Sequence, residues 1–264
     1  MNQVVFDQIG QLASQRPKGT EVGIAIRNLE TGESFALNAD HDFASASTIK
    51  ILILAGLAES VAGGHLSLDD TLPAAPEIRL GGSGVLNWLD KDLHLTLRDH
   101  AWLMTAISDN STSNVLMNAV GIPEINDLGK RLEVGKTVMG RNFMDRNIPP
   151  GPPQNRATAN GLVNILTAIY ADEIATPELC AWMRQCLADQ QHRDRLARHL
   201  PEGAEYAGKT GTIEGINHDC GVISGKNGRL AVAVLTQGFE NPYDADRYIG
   251  RIGKAIGEIV ASQA

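Results

Sequence analysis

Residues 205–237 decide the fold, and they read EYAGKTGTIEGINHDCGVISGKNGRLAVAVLTQ. Three short apolar runs, Tyr206–Thr212, His218–Ser224 and Leu230–Gln237, are separated by turn residues. Runs of this length, bounded by glycine and asparagine, predict strands. Lys226-Asn227-Gly228 stands between the last two runs and is typical of a tight hairpin. The stretch therefore predicts three consecutive antiparallel strands.

A second pair of strands is predicted near the N-terminus. Glu21–Arg27 has β-branched residues at alternate positions and predicts a strand. Asn28–Glu33 is a turn, and Ser34–Asn38 predicts the second strand of a hairpin. Apolar residues at helical spacing predict helices over Val4–Ala13 and Tyr243–Ala261. We expect an α+β fold in which one antiparallel five-stranded sheet is flanked by these terminal helices.

The middle of the chain is predicted to be an inserted all-α region. The pattern is helical from Ser47 to about Ala106, and further helices are predicted through Val120 and over residues 124–132, 159–171 and 177–189. Arg141–Arg156 contains four prolines in five residues and predicts a stiff surface loop. We expect two nested domains, a discontinuous sheet domain (1–43 and 197–264) and a helical domain (44–196).

Composition and charge exclude several classes of protein. The 264 residues are 43% hydrophobic and 20% charged, with a formal net charge of −8. These values are ordinary for a globular protein and argue against disorder or nucleic-acid binding. The longest apolar stretch, Ile49–Ala58, is too short to span a membrane. We expect a monomer that acts on a small molecule, with no nucleic-acid or membrane partner.

Cysteines and histidines give no sign of a metal site. Cys180, Cys186 and Cys220 include no CxxC pair and predict buried thiols. The seven histidines show no metal-ligand spacing, so we expect no metal and no cofactor. The first residues show no secretory signal. The sequence as it stands therefore predicts a cytoplasmic protein, or a periplasmic or secreted one if an export signal has been removed.

Ser47-Thr48-Ile49-Lys50 is the first of three candidate catalytic motifs. On a helix, residues three apart share a face, so the Ser47 hydroxyl and the Lys50 amine can meet. A serine nucleophile needs a nearby base, and burial can lower the pKa of a lysine enough to serve. The alternative is a serine at a helix start followed by a solvated lysine.

The other two motifs are Ser108-Asp109-Asn110 and Lys209-Thr210-Gly211-Thr212. We expect Ser108 to relay a proton near Lys50, Asn110 to hold a substrate amide, and Asp109 to cap a helix. Lys209 and Thr210 on a strand can bind a substrate carboxylate, and the backbone N–H groups of Thr212 and Ser47 can stabilise an oxyanion. The alternatives are helix capping alone and an edge-strand lysine that discourages aggregation.

In this order, with separations of 58 residues from Lys50 to Ser108 and 101 from Ser108 to Lys209, the motifs resemble those of the class A β-lactamases and related penicillin-recognising serine hydrolases. The coarse pattern of a split sheet, an inserted helical region and a terminal helix is similar as well. The resemblance implies acyl transfer: Ser47 attacks a lactam carbonyl, forms an acyl-enzyme, and water releases it.

The sequence departs from that family in the loop that supplies the deacylation base. Class A enzymes carry Arg-x-Glu-x-x-x-Asn there, and Arg141 and Asn147 match its ends, but Phe143 stands at the glutamate position. Asp145, two residues on, is either a substitute base in a reshaped loop or a carboxylate paired with a neighbouring arginine. We expect acylation of Ser47 by a β-lactam or a related amide or ester, followed by slow deacylation.

A second departure lies beside the Lys209 motif, and other interpretations stay open. Cys220 precedes Gly221, where the family often has an arginine, so Lys209 can hold the substrate carboxylate alone. A penicillin- or peptide-binding protein without turnover, or an esterase or peptidase acting on a non-lactam substrate, are the other readings. Gly203–Thr210 also fits the GxxxxGK[ST] pattern of nucleotide-binding loops, although neither a preceding buried strand nor a following helix is predicted.

Overall fold

The computed structural model describes residues 3–74, 79–144 and 154–261, and its centre is a five-stranded antiparallel sheet. The strands lie in the order β2-β1-β9-β8-β7. Their bounds are β1 Glu21–Asn28, β2 Ser34–Leu37, β7 Glu205–Ile213, β8 Ile216–Gly225 and β9 Gly228–Gln237. Both predicted hairpins are confirmed, and pairing of β1 with β9 joins them into one sheet.

Eight helices surround the sheet in the described part of the chain. Their bounds are α1 Gln3–Ser14, α2 Lys50–Ala62, α3 Leu97–Ala106, α4 Asn110–Val120, α5 Ile122–Arg131, α6 Ala159–Tyr170, α7 Pro177–Ala188 and α8 Pro242–Ala261. The terminal helices α1 and α8 pack against each other, and α8 packs on β8 and β9. None of the described helices has the length and apolar character needed to cross a membrane.

The alternation of side chains along the strands divides the core between the two faces of the sheet. Large residues such as Ile24 and Val232 face a cluster shared with α1 and α8. Small residues, Ala25, Ala231 and Ala233, face the other cluster, which contains the remaining helices. Since alanine leaves little bulk above the sheet, α6 can pack closely on β1 and β9.

The prediction of continuous helical structure from Ser47 to Ala106 was wrong for its central part. Gly63 and Gly64 follow the end of α2, and two short antiparallel ladders accompany the helices: β3 Phe43–Ala44 with β6 Arg156–Ala157, and β4 Thr71–Pro73 with β5 His94–Thr96. The loop that follows β4 is organised by Arg79, whose guanidinium donates to the carbonyls of Ala74, Leu86 and Leu89. Apolar loop residues pack inward here at spacings that imitate a helix.

Asp109 connects that loop to the start of α4. Its Oδ1 accepts hydrogen bonds from the backbone N–H groups of Ser111 (2.9 Å) and Thr112 (3.1 Å), which confirms the predicted helix cap. Its Oδ2 accepts from Val85 (2.7 Å) and Leu86 (3.0 Å). One buried carboxylate therefore satisfies four backbone donors from two segments.

We predict that Asp109→Ala lowers the free energy of unfolding by about 3 kcal/mol, because four backbone donors lose their acceptor in a buried position. The measurement is urea unfolding followed by circular dichroism. Asp99→Ala is the matched control, since Asp99 caps the exposed start of α3 and its loss should cost about 1 kcal/mol. Equal losses in the two variants would contradict a linking role for Asp109.

Candidate active site

Two of the three motifs meet at the buried amine of Lys50. Ser47 lies in a short 3-10 helix, Ala46–Ile49, that leads directly into α2. Lys50 is 1% exposed, and its Nζ donates to the Ser108 carbonyl (2.8 Å), Ser108 Oγ (3.2 Å) and Asn110 Oδ1 (2.9 Å). The reading of Lys50 as a solvated lysine is wrong. The expected contact between the Ser47 hydroxyl and Lys50 stays a prediction.

The third motif lies against the backbone of Ser47. A Cβ atom placed on Gly211 would be 3.0 Å from Ser47 N and 3.1 Å from the side chains of Ala46 and Thr48. Only glycine lets β7 approach the nucleophile segment this closely. Ala46 and Ser108 both adopt left-handed backbone conformations, with φ of 46° and 60°. Strain of this kind collects at functional sites, where the surrounding structure holds it.

Lys209 is fully buried in β7, with Nζ donating to the Thr210 carbonyl at 3.0 Å. The alternative of an exposed edge-strand lysine is therefore wrong, although β7 is the edge strand of the sheet. The nucleotide-loop alternative is also wrong, because β7 runs on to Ile213 and is followed by β8 rather than by a helix. A phosphate-binding loop requires a helix N-terminus at that point.

Burial changes the protonation of both lysines. Desolvation and repulsion from Lys209 hold the pKa of Lys50 well below its usual range, against the attraction of Asp109. Desolvation lowers the pKa of Lys209 to about 7, with Cys220 and Asp219 opposing the shift and Arg195 adding to it. A lowered pKa favours the neutral amine, which is the state that a general base needs.

The Phe143 ring lies over the Lys50 amine. The ring centroid is 4.6 Å from Lys50 Nζ. Asn114 on α4 fixes the backbone of this residue, since Phe143 N donates to Asn114 Oδ1 (2.8 Å) and Asn114 Nδ2 donates to the Phe143 carbonyl (3.0 Å). Asp145, Asn147 and the proline-rich residues 149–153 lie outside the described residues.

Two cavities open at Ser47. One, of about 320 Å³, has its apolar wall formed by Phe143, Met144 and Ile213 and its polar wall in part by Asn110 and Thr212. The other, of about 150 Å³, is mostly polar and is lined by Ser47, Ser83, Ser108, His192, Asp194, Arg195, Thr210 and Thr212. Lys209 lies buried behind Thr210. The site therefore offers two chambers that share Ser47, Ser83 and Thr212, a larger one with the Phe143 side chain in its wall and a smaller polar one.

Arg195 is the site residue that the sequence analysis missed. It is 5% exposed and forms an ion pair with Asp246 on α8, from Nε to Oδ1 at 2.6 Å. Its other donors reach the carbonyls of Gly211 (2.9 Å) and His218 (2.7 Å) and the hydroxyl of Thr212 (2.6 Å). The local sequence His-Arg-Asp-Arg is polar and predicts a solvent-exposed arginine. The partner that compensates the charge of the buried arginine is Asp246, which is remote in the sequence.

Cys220 and His218 occupy the strand beside the Lys209 motif. Cys220 is buried, and its Sγ donates to the Lys209 carbonyl at 3.4 Å. The other two cysteines are likewise buried and reduced, as predicted. His218 Nδ1 lies 3.0 Å from Thr236 N, which donates to it, and 2.9 Å from the Asn217 carbonyl, while Nε2 lies 3.0 Å from the Ala44 carbonyl. A neutral histidine thus ties the segment before Ser47 to the sheet.

Among the residues that the structure describes, no cluster of histidine, cysteine or carboxylate side chains is arranged to hold a metal ion.

The sheet order, with its helical region between β2 and β7, is that of serine β-lactamase-like hydrolases. The chain belongs to the β-lactamase enzyme family, whose family model matches residues 5–260. By sequence it is 24% identical to β-lactamase CARB-4 of Pseudomonas aeruginosa, with 100% of this chain and 94% of that protein aligned. The resemblance to class A β-lactamases is thereby confirmed.

Solved structures show the same relationship. A β-lactamase from Sphaerobacter thermophilus superposes with a TM-score of 0.90 and 30% identity over 98% of both chains. PBP-A, a leucine-to-glutamate variant of which was solved as an acyl-enzyme complex with penicillin G, superposes with a TM-score of 0.86 and 25% identity. That alignment covers 97% of this chain and 96% of PBP-A. The predicted α+β fold is confirmed by these comparisons.

We predict that His218 makes the protein sensitive to acid. Burial lowers the pKa of His218 to about 4, from 6.5, so the unfolded chain binds the extra proton between these values. Its contribution to stability is complete above pH 6.5 and is lost as the pH falls towards 4, by on the order of 3 kcal/mol. Chemical unfolding at pH 7, 5.5 and 4 measures this loss.

Asp219 works in the opposite direction, because burial raises its pKa from 3.8 to about 6. The effect of His218 is therefore isolated by comparing the wild type with His218→Gln, which keeps Asp219. The stability difference between the two proteins should shrink as the pH falls. A difference that stays constant from pH 7 to pH 4 would show that His218 is not held neutral.

Proposed function

We propose that the protein is a serine hydrolase that forms an acyl-enzyme on Ser47 with a β-lactam or a related amide or ester. The observation that carries this proposal is the buried Lys50 amine, which meets the Ser108–Asn110 turn beside Ser47. A lysine of lowered pKa can take the serine proton, either directly or through the Ser108 hydroxyl at 3.2 Å. Ser108 can then return a proton to the leaving group.

The backbone N–H groups of Ser47 and Thr212 would form the oxyanion hole. The close approach of Gly211 to Ser47 N supports this assignment, because it brings β7 against the start of the helix. Asn110 would hold a substrate amide. One Nδ2 proton goes to the Gly81 carbonyl and Oδ1 accepts from Lys50, which leaves the second Nδ2 proton for the substrate.

The polar chamber would receive a substrate carboxylate. Thr212 Oγ1 accepts a hydrogen bond from Arg195, so its own proton is available to an incoming anion. Thr210 lines the same chamber, whose wall holds the guanidinium of Arg195 and also the carboxylate of Asp194. Lys209 would hold this part of β7 in place, since its Nζ donates a hydrogen bond to the Thr210 carbonyl. This arrangement fits a small anionic group in a net acidic protein.

We propose slow deacylation, because Phe143 occupies the position of the general base in class A enzymes. A phenyl ring 4.6 Å from Lys50 Nζ can neither accept a proton nor orient water. Among the described residues, no carboxylate lines the chamber that Phe143 faces. The acyl-enzyme would accumulate. The PBP-A complex with penicillin G shows that a relative of this fold can be captured in that state.

Phe143 also favours a second candidate function, a penicillin- or peptide-binding protein without turnover. A hydrolase that acts on a non-lactam ester or peptide is a further alternative.

We further propose that the protein acts as a monomer. Its discontinuous sheet domain (1–43 and 197–264) and helical domain (44–196) would enclose the site. Size-exclusion chromatography with light scattering tests the oligomeric state.

We predict that Phe143→Glu raises steady-state turnover of a chromogenic cephalosporin by about a hundredfold or more, because a positioned general base contributes roughly 10² to 10⁴ to a rate. The wild type should show a burst of one equivalent followed by a stall. Stopped-flow absorbance and intact-protein mass spectrometry measure the burst and the adduct. Phe143→Gln is the matched control, since it adds polarity without a base and should keep the stall.

Rapid wild-type turnover without an accumulating adduct would contradict slow deacylation. In that case Asp145→Asn decides whether Asp145 is the substitute base, since its replacement should then restore the stall. A wild type that forms no adduct with a penicillin, a cephalosporin or a simple ester would contradict acyl transfer itself.

We predict that Ser47→Ala abolishes adduct formation, because no other group in the motif set replaces its hydroxyl. Isothermal calorimetry with the same penicillin separates the two candidate functions. An enzyme should lose its covalent product with Ser47→Ala. A binding protein should hold its ligand noncovalently, with the same affinity in both forms.

A further inference from the structure

Tyr206 and Asp219 form a buried polar pair that the acyl-transfer chemistry does not use. The Tyr206 hydroxyl donates a hydrogen bond to Asp219 Oδ1, and the two residues are 3% and 1% exposed. Tyr206 belongs to the core on the α1–α8 side of the sheet. Removing a carboxylate from water is unfavourable unless it is well paired, so this pair calls for a reason beyond filling the core.

Two glycines make room for the pair. Gly208 on β7 and Gly221 on β8 are cross-strand neighbours, and the Tyr206 ring lies across both. A Cβ atom on Gly208 would lie 2.2 Å from the Tyr206 hydroxyl oxygen, and one on Gly221 would lie 2.6 Å from Cε2 of the ring. Because both positions lack side chains, the ring can extend along the sheet and reach Asp219.

Asp219 connects the pair to the segment that carries Arg195. Its Oδ2 accepts a hydrogen bond from the backbone N–H of Leu196, the next residue, at 2.9 Å. The guanidinium of Arg195 in turn donates hydrogen bonds to the Gly211 carbonyl and the Thr212 hydroxyl. An unbroken chain of contacts therefore leads from a tyrosine in the core to the hydroxyl in the polar chamber.

We propose that Tyr206 and Asp219 are positioning residues for recognition of the substrate carboxylate. Tyr206 orients Asp219, Asp219 fixes the backbone at Leu196, and Arg195 thereby keeps the Thr212 hydroxyl directed into the chamber. The inference rests on the proposed function, because it presupposes a substrate whose carboxylate binds beside Thr212. Neither residue touches the substrate.

The test uses a chromogenic cephalosporin and its carboxylate methyl ester, which differ only in the charge that the chamber should recognise. The second-order rate of Ser47 acylation is measured for both by stopped-flow absorbance. Tyr206→Phe keeps the ring over the glycines and removes only the hydroxyl. It should slow acylation by the free acid about tenfold, mainly through weaker binding, and acylation by the ester less than twofold.

Tyr248→Phe is the matched control. Tyr248 is also buried on the α1–α8 side of the sheet, and its hydroxyl donates to the Ala13 carbonyl on α1 at 3.1 Å. Its loss should lower the thermal unfolding temperature without changing the ratio of the two acylation rates. A merely structural role for Tyr206 would make the two variants behave alike.

Two further variants extend the test. Asp219→Asn should lower the acid-to-ester ratio as Tyr206→Phe does. In an Arg195→Gln background, Tyr206→Phe should have no further effect on that ratio, since the two residues act in series. An unchanged ratio in both Tyr206→Phe and Asp219→Asn, or equal losses for both substrates, would overturn the inference. Wild-type protein that reacts with neither substrate would overturn the proposed function, and this inference with it.

Discussion

The structure depends on the burial of one amine at the start of its central helix. Lys50 is followed by Ile51–Ala58, all of which are buried. An amine in such surroundings is stable only when polar groups are brought to it, because its desolvation is unfavourable. The Ser108–Asn110 turn supplies three oxygen acceptors, and Asp109 holds that turn to α4 and to the loop before α3. Helices α3 and α4 both pack against α2, and the turn between them thereby lies at this amine.

The sheet could be predicted from the sequence, and the region after α2 could not, for one physical reason. Strands and hairpins are encoded by neighbours in the chain, such as the two-residue turn between Gly225 and Gly228, which pair across it. In the described part of the region between α2 and α3, Arg79 binds the carbonyls of Leu86 and Leu89, and the Asp109 carboxylate holds the backbone of Val85 from 24 residues away. The apolar residues of this region are spaced by what they pack against, so their period carries no information about local structure.

The candidate site likewise contains residues that the sequence predicts and residues that it does not. Ser47, Lys50 and Ser108 could be chosen because their chemistry and spacing form a rare combination, while the depth at which Lys209 is buried could not be foreseen. Arg195 gave no local signal, since its burial depends on Asp246, 51 residues away in the chain. Sequence patterns thus indicate the candidate reactive groups. Remote ion pairs and strand contacts decide which charged side chains are buried around them.

The hold of Asn114 on the loop has a consequence for how activity can evolve. Asn114 binds the backbone N–H and carbonyl of residue 143 and makes no demand on its side chain. Both backbone hydrogen bonds from Asn114 to residue 143 can therefore persist when that side chain is exchanged. Under the proposed function, a single exchange at residue 143 would turn a slow acyl trap into a fast hydrolase. The fold would tolerate either state, and selection on the lifetime of the covalent intermediate would choose between them.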